Sequence, residues 1–166
     1  MTVENDSERL LAFRRDIIDM LFVEGNHFCM FCEKSGNCEL QALAYRFQML
    51  VPSYPYLFPK KELDGQHSEF YIDRNRCILC GRCVRSSQEV DGKNVFAIAG
   101  RGIGSHLVVN SPSGKLGDTD FDADDRAAHV CPVGAILPKH RGYEQPIGER
   151  LYDLQPISVV GDVAAH

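Results

Sequence analysis

The sequence lacks the features that would place it in a membrane, on nucleic acid or in a secretory pathway. No apolar run approaches the roughly 20 residues that a membrane-spanning helix needs. The net charge is −5, so no positive field attracts nucleic acid. The N-terminus, MTVENDSERLL, is acidic and polar, unlike a secretory signal. We therefore expect a cytoplasmic protein that neither inserts into membranes nor binds nucleic acid.

Sequence signals for catalysis, nucleotide binding and calcium binding are also weak or missing. No nucleophile is paired with a general base, and we expect no catalytic residue in this chain. The glycine-rich GRGIGS lies within a predicted hairpin rather than at a strand-to-helix turn, so it does not predict phosphate binding. DTDFDADD resembles the start of a calcium loop, but Ala123 and His129 stand where glycine and glutamate belong.

Cysteine, in contrast, is abundant, with seven residues in the chain. An odd number does not suit a disulfide framework, and a reducing compartment keeps thiols free. Clustered cysteines in that setting are more often metal ligands. The spacings are C-x2-C-x5-C, then C-x2-C-x2-C, then a distant Cys-Pro: Cys29, Cys32, Cys38; Cys77, Cys80, Cys83; and Cys131.

The second cysteine group, CILCGRCV, presents three thiols at intervals of three residues. Such a loop can wrap a cubane iron–sulfur cluster and offer one sulfur to each of three irons. Cys131 is the only remaining unassigned thiol, and it most simply closes the same cluster. The alternative is a structural zinc site, although zinc favours two paired half-sites. We name this group the second ligand set: Cys77, Cys80, Cys83 and Cys131.

Residues around the second group suggest how a cluster there would be insulated and charge-balanced. Ile78, Leu79 and Val84 are expected to shield it from water, and Gly81 to let backbone amides approach its sulfurs. The side chains of Arg82 and Arg85 either offset its negative charge or are solvated surface residues.

The first cysteine group, within HFCMFCEKSGNCELQ, has only three thiols. A lone histidine near cysteines is usually an ordinary surface or core residue. His27, however, completes the count, because seven cysteines and one histidine make eight ligands for two four-iron clusters. Neutral imidazole in place of thiolate should raise the reduction potential, as it does in Rieske centres. We name this group the first ligand set: His27, Cys29, Cys32 and Cys38.

Hydrophobic periodicity predicts a helix over residues 7–24 that carries two adjacent apolar stripes. The stripes indicate either deep burial within this chain or cover by another subunit. Their members are Leu10, Phe13, Ile17, Met20 and Leu21 in one stripe, and Leu11, Ile18 and Phe22 in the other.

The remaining pattern predicts an α+β protein. We expect a second helix over 39–50, a linker over 51–66, a strand over 68–77, a β-hairpin over 93–110, a polar loop, and a short helix or turn that delivers Cys131. The predicted organisation is a small helical lobe over 1–52 with the first ligand set, a ferredoxin-like lobe over 53–142 with the second set and the hairpin, and a C-terminal docking tail over 143–166.

Four stretches resemble a known family. HFCMFCEKSGNCELQ, RCILCGRCV, GRGIGS and CPVGAI occur in the same order in the electron-relay region of the large iron–sulfur subunit of respiratory complex I. The two-residue step from His27 to Cys29, with EGNH before it and EKSGNCELQALAY behind it, most resembles the diaphorase gamma subunit of soluble NAD-reducing nickel–iron hydrogenases. The tail GYEQPIGERLYDLQ is similar to that subunit as well.

The resemblance implies one 4Fe-4S cluster on the first ligand set and a second on the second ligand set. It implies an electron relay between a flavin/NAD module and a hydrogenase or dehydrogenase module, in a hetero-oligomer. The family normally begins with a plant-type 2Fe-2S domain, whereas this sequence starts almost directly on the helix that would follow it. We therefore expect that either a separate subunit supplies that centre or the complex exchanges electrons another way. The expected partners are hydrogenase or dehydrogenase small and large subunits, together with a flavin/NAD-binding or 2Fe-2S subunit.

The leading hypothesis is an electron-transfer subunit with two 4Fe-4S clusters in a cytoplasmic hydrogenase of the NAD-reducing type. One alternative is a relay subunit of an NAD-dependent formate dehydrogenase or of a complex I-like dehydrogenase. A second alternative, from another functional class, is a zinc-stabilised adaptor without redox activity.

Overall fold

The computed structural model describes residues 3–143, 145–156 and 159. Within them the chain forms four α-helices and five short strands, which confirms the predicted α+β class. None of the described helices is long and apolar enough to cross a membrane. The elements are α1 (Glu8–Val23), α2 (Glu39–Arg46), α3 (Arg82–Glu89), α4 (Arg126–His129), β1 (Leu63–Asp64), β2 (Phe70–Asp73), β3 (Phe96–Ala99), β4 (His106–Val109) and β5 (Ile136–Pro138).

Helix α1 forms where the periodicity predicts it, but only part of its apolar surface is covered. Ile18 and Val23 are buried, whereas Phe13, Ile17 and Met20 are exposed. Deep burial within this chain is therefore wrong for the stripe that carries these three residues. Its cover by another subunit stays a prediction.

The predicted linker over 51–66 packs against α1 instead of running free. The buried Asp19 carboxylate accepts hydrogen bonds from the backbone N–H of Ser53, at 2.8 Å, and from the Ser53 hydroxyl. Farther along, the backbone N–H of Leu57 donates to the Val23 carbonyl at 3.1 Å. The C-terminal half of α1 and the linker therefore form one unit, and the end of the linker becomes β1.

Two small antiparallel sheets lie in the second half of the fold. One has the order β1-β2-β5, with Ile72 of β2 opposite Ile136 of β5. Pro138 has no backbone N–H to donate, but it is tolerated because β5 is an edge strand, where a missing donor need not break a hydrogen bond between two strands. The other sheet is the predicted hairpin, β3 paired with β4, and GRGIGS forms its tip with a 3-10 turn at Gly102–Gly104.

The buried apolar residues divide into two clusters. The larger cluster is built around the sheets together with α3 and α4, and the smaller joins α1 and α2. Two members of the smaller cluster, Val133 and Ala135, come from the segment that follows Cys131, so this segment is packed into the helical part. The smaller cluster comprises Ile18, Leu40, Ala44, Met49, Val133 and Ala135, and the larger contains Phe70, Ile72, Phe96, Leu107, Val109, Leu116, Phe121 and Ile136 among others.

Several element boundaries differ from the prediction. Helix α2 stops at Arg46 rather than residue 50, and Gln48 has a left-handed φ of 56°. The strand predicted over 68–77 is extended only as far as Asp73, because the Asp73 carboxylate accepts a hydrogen bond from the backbone N–H of Asn75 and starts a 3-10 turn. Helix α3 and strand β5 were not predicted.

The first part of the predicted tail packs on the first cysteine loop of the same chain. The backbone N–H of Tyr152 donates to the Gly36 carbonyl at 3.1 Å, and its hydroxyl donates to the Cys38 carbonyl at 3.2 Å. Arg150 Nη1 donates to the Ser35 carbonyl at 3.3 Å. Residues 157, 158 and 160–166 lie outside the described residues, so docking of the tail on another subunit stays a prediction.

Candidate metal centres

Two separate cavities each receive one of the two predicted ligand sets. All four members of the first ligand set line the first cavity, and all four members of the second set line the second. The grouping includes His27 and Cys131, the two residues whose assignment depended on counting ligands. The structure therefore brings together each predicted set of four.

The first cavity lies between the end of α1 and the start of α2. The backbone N–H of Asn26 donates to the Asn75 carbonyl at 2.8 Å, and its side-chain amide donates to the Pro59 carbonyl at 2.8 Å. These bonds fix the turn that follows α1. Cys29 then begins a 3-10 turn, and Cys38 immediately precedes α2. The loop between them therefore returns its thiols to the cavity beside His27.

His27 is half-buried, and the described residues hydrogen-bond only one side of its imidazole ring. The Leu21 carbonyl accepts a hydrogen bond from the ring, whereas Nε2 is buried without a partner among the described residues. Burial, and then the positive charges of Lys61 and Arg76, lower the pKa of His27 to about 4. The ring is therefore neutral at pH 7, with a lone pair on Nε2 for a metal and its other nitrogen fixed by a backbone carbonyl.

Two positions beside the first ligand set must be glycine, because a larger residue there would occupy space that the ligands fill. A Cβ atom at Gly25 would collide with the His27 ring, and a Cβ at Gly134 would come within 2.7 Å of Cys32 Sγ. A side chain at either position would have to displace a member of the set.

The second cavity is formed by a tightly curled loop and the start of α3. Leu79 and Gly81 both have left-handed backbone conformations, with φ of 55° and 70°. These two residues bend the chain so that Cys77 and Cys80 face the same cavity as Cys83 in the first turn of α3. The fourth thiol, on Cys131, arrives just beyond α4.

Burial disfavours the ionised, thiolate form of these cysteines when no metal is bound. It raises the pKa of Cys38 to about 12, and burial together with the neighbouring cysteines does the same for Cys83. Burial also raises the pKa of Cys131, while backbone N–H groups of the chain just beyond it favour the thiolate and lower that pKa. Stable thiolates in such cavities require a strong positive charge at the sulfurs, which bound metal supplies.

The apolar lining of the second cavity agrees in part with the sequence prediction. Ile78 and Leu79 line it as expected. The third predicted shield, Val84, packs instead against the larger apolar cluster. The other apolar lining residues come from the hairpin and from the segment after Cys131, namely Ile98, Leu107, Val133, Ala135 and Ile136.

The two arginines expected near the second cavity have different partners. Arg82 forms a two-pronged ion pair with Glu39 at 2.6 and 2.7 Å, which links α3 to α2. Arg85 donates to the Cys80 carbonyl at 3.4 Å. Both therefore contribute to the architecture around the second ligand set.

One short segment forms a wall shared by the two cavities. It follows Cys131 directly: Val133 lines both cavities, and Gly134 lies against Cys32. The Pro132 carbonyl accepts a hydrogen bond from the backbone N–H of Glu39 at 3.0 Å, which ties the segment to the start of α2. The buried side chain of Val133 therefore lies between the two candidate centres.

Sequence reasoning missed Val133, Lys61 and Arg76. The charges of Lys61 and Arg76 both act on His27, and Arg76 also lines the first cavity. The one signal in the sequence is that Arg76 immediately precedes Cys77. Nothing in the linear pattern connects it to the first ligand set, which it reaches only through the fold.

The donor atoms fit iron–sulfur clusters. Among the described residues, no three His, Cys, Asp or Glu side chains converge to hold a single metal ion. A cubane does not need such convergence, because its four ligands bind four different irons. The unpartnered buried Nε2 of His27 and the space kept free beside Cys32 match a group held by one imidazole and three thiolates.

Comparisons with known proteins agree with this arrangement. Residues 14–51 match the NADH-ubiquinone oxidoreductase-G iron-sulfur binding region, and residues 70–137 match a 4Fe-4S single cluster domain. The gamma subunit of the NAD-reducing hydrogenase HoxS of Cupriavidus necator is 37% identical over 158 residues, which cover 95% of this chain and 67% of that subunit. NADH-quinone oxidoreductase subunit 3 of Thermus thermophilus is 31% identical, over 82% of this chain and 19% of its own length.

A solved structure shows the same fold. A chain in the crystal structure of NAD+-reducing [NiFe]-hydrogenase in the H2-reduced state is 50% identical and superposes with a TM-score of 0.86, over 91% of this chain and 64% of that one. Together, the two cavities and the two domain matches define an iron–sulfur protein. More narrowly, the chain belongs to the family of gamma subunits of NAD-reducing hydrogenases.

Replacement of Gly134 by alanine should disrupt the first centre selectively. The added Cβ would lie 2.7 Å from Cys32 Sγ, and that thiol would have to move. We expect anaerobically purified Gly134→Ala to retain about half of the roughly eight irons that two cubanes bring. Iron and acid-labile sulfide assays measure this loss. Gly104→Ala is the control, since a Cβ there meets none of the described residues within 4 Å. Full iron content in both variants would contradict the predicted crowding.

Proposed function

We propose that this chain is an electron-transfer subunit that carries two 4Fe-4S clusters, one on the first ligand set and one on the second. The observation that carries the proposal is the sorting of eight candidate ligands into two cavities, four in each. Each cluster, when bound, supplies storage for one electron. The chain fixes the separation of the clusters, excludes water and sets the electrostatic environment.

The protein contributes differently to the two centres. At the first, the neutral imidazole of His27 would replace a thiolate, so the ligands would carry one negative charge fewer. At the second, four cysteines surround the site, and the apolar side chains of Ile98, Leu107 and Ile136 limit water access. Cys80 is exposed, which leaves this centre the nearer to solvent at that point.

The relatives support a role within a larger enzyme. We propose that the chain relays single electrons in a cytoplasmic, multi-subunit hydrogenase of the NAD-reducing type, with the nickel–iron centre and any flavin on other chains. The partners would be hydrogenase small and large subunits and a flavin/NAD-binding or 2Fe-2S subunit. The exposed stripe of α1, with Phe13, Ile17 and Met20, offers a surface for one of them.

Metal analysis distinguishes this proposal from a zinc-stabilised adaptor. Protein purified without oxygen should be brown and should contain about eight irons and about eight sulfides per chain. Dithionite should bleach the colour, because each cluster accepts an electron. A colourless protein that contains zinc and little iron would contradict the proposal and support the adaptor.

Replacement of His27 by cysteine should keep a cluster in the first cavity but lower its potential. A thiolate in place of imidazole adds one negative charge, which disfavours electron uptake. Anaerobic redox titration followed by electron paramagnetic resonance should show one of the two components moving to lower potential. His106→Cys, at an exposed position on β4, should move neither. A titration of His27→Cys in which both components stay in place would contradict the assignment of His27 as a ligand.

The proposed partners can be tested by affinity purification from cells that express the whole enzyme. A tagged copy of this chain should recover subunits that carry nickel, because a relay subunit must hold its clusters close to its electron donors and acceptors. Recovery of a flavoprotein in the same complex would support the link to NAD. Recovery of a molybdenum-containing dehydrogenase in place of nickel would instead support the formate dehydrogenase alternative.

A further inference from the structure

Arg76 occupies a special position between the two candidate centres. It immediately precedes Cys77 of the second ligand set, yet its side chain lines the first cavity. A Cβ atom placed on Gly134 would lie 2.7 Å from Cys32 Sγ and 3.4 Å from Arg76 Cδ. The arginine stem and the Cys32 thiol therefore pack against the same glycine.

The guanidinium is fixed in place by two carboxylates. Its Nη1 lies 2.6 Å from Glu33 Oε2, and its Nε lies 3.0 Å from Asp73 Oδ2. Nη1 also lies 3.5 Å from the Gly134 carbonyl. Only 17% of the Arg76 side chain is exposed, so water screens its charge much less than it screens a surface arginine.

The groups that face Arg76 are not balanced in charge. Glu33 follows Cys32 directly, and Asp73 ends β2. Together they carry two negative charges against one positive charge. Loss of the arginine charge would therefore remove the cation with which both carboxylates form ion pairs beside the first ligand set.

We propose that Arg76 tunes the potential of the first centre, by placing a fixed positive charge beside Cys32. This inference rests on the proposed function, since it requires a cluster on the first ligand set. The cluster gains one electron from a low-potential donor without making or breaking a bond. A nearby positive charge stabilises the added electron and raises the potential.

The charge of Arg76 acts through space and does not bind iron, so it is a tuning residue rather than a ligand. Removal of the positive charge and removal of a neighbouring negative charge should therefore shift the potential of the first centre in opposite directions. Arg76→Gln should lower the potential of the first centre. Glu33→Gln removes a negative charge from the same network, and it should raise that potential. A role confined to holding the fold together would not produce shifts of opposite sign.

The test is an anaerobic redox titration of the purified holoprotein, with dithionite as reductant and electron paramagnetic resonance as readout. His27→Cys first identifies which of the two components belongs to the first centre. Arg76→Gln should move that same component to lower potential, and Arg76→Lys, which keeps the charge, should move it less. Arg101→Gln is the charge-matched control, because Arg101 is exposed near the hairpin tip.

The possible results distinguish a failure of the proposed tuning role of Arg76 from a failure of the proposed electron-transfer function. If wild-type protein contains no cluster, the proposed function fails, and the inference fails with it. If clusters are present and Arg76→Gln moves only the other component, or neither, the inference alone is overturned. Should Arg76→Gln lose the first cluster, Glu33→Gln decides: a rise supports the tuning role, and a fall or no change overturns it.

Discussion

The packing of one short segment between two cavities is the constraint on which the rest of the structure depends. Cys131 belongs to one cavity, Val133 lines both, and Gly134 leaves room for Cys32 in the other. The same segment enters the smaller apolar cluster with α1 and α2 and then forms β5 against β2. A change in its path would therefore alter both centres together. In the proposed electron relay this matters, because one piece of backbone would set the separation of the two centres.

The cavities are electrostatically unfavourable without their proposed contents. Burial raises the pKa values of the thiols, and it holds His27 neutral with an unpartnered Nε2. An unsatisfied buried polar atom costs free energy, and so does a buried thiolate. The local structure that brings these groups together is itself well bonded, through the Asn26–Asn75 contact and the Arg82–Glu39 pair. The protein thus stabilises an arrangement of donors that bound iron would then satisfy.

The linear sequence predicted which cysteines and histidine share a cavity better than it predicted the elements that carry them. Ligand spacing is a local chemical pattern, so C-x2-C-x2-C could be interpreted without knowing that α3 begins inside it. The grouping of Cys131 with Cys77 followed from counting thiols. Strand β5 was missed because three residues that end in proline are a weak signal, and their partner, β2, lies far away in sequence. The role of Val133 was also out of reach, since it depends on two cavities meeting at one side chain. Likewise, burial of α1 could not be decided from periodicity, which identifies apolar faces but does not say what covers them.

The surroundings of the two candidate centres differ in ligand type, in charged neighbours and in exposure to solvent. The first centre has a neutral imidazole ligand and a guanidinium that is only 17% exposed. The second has four thiols, and Arg82 beside it is 41% exposed and paired with Glu39, so solvent screens its charge more strongly. The neutral imidazole favours an added electron at the first centre, whereas Glu33 and Asp73 oppose the charge of Arg76 there. The charges around the two candidate centres therefore come from side chains in three separate parts of the chain: the loop after α1, the 3-10 turn before Cys77 and the start of α3.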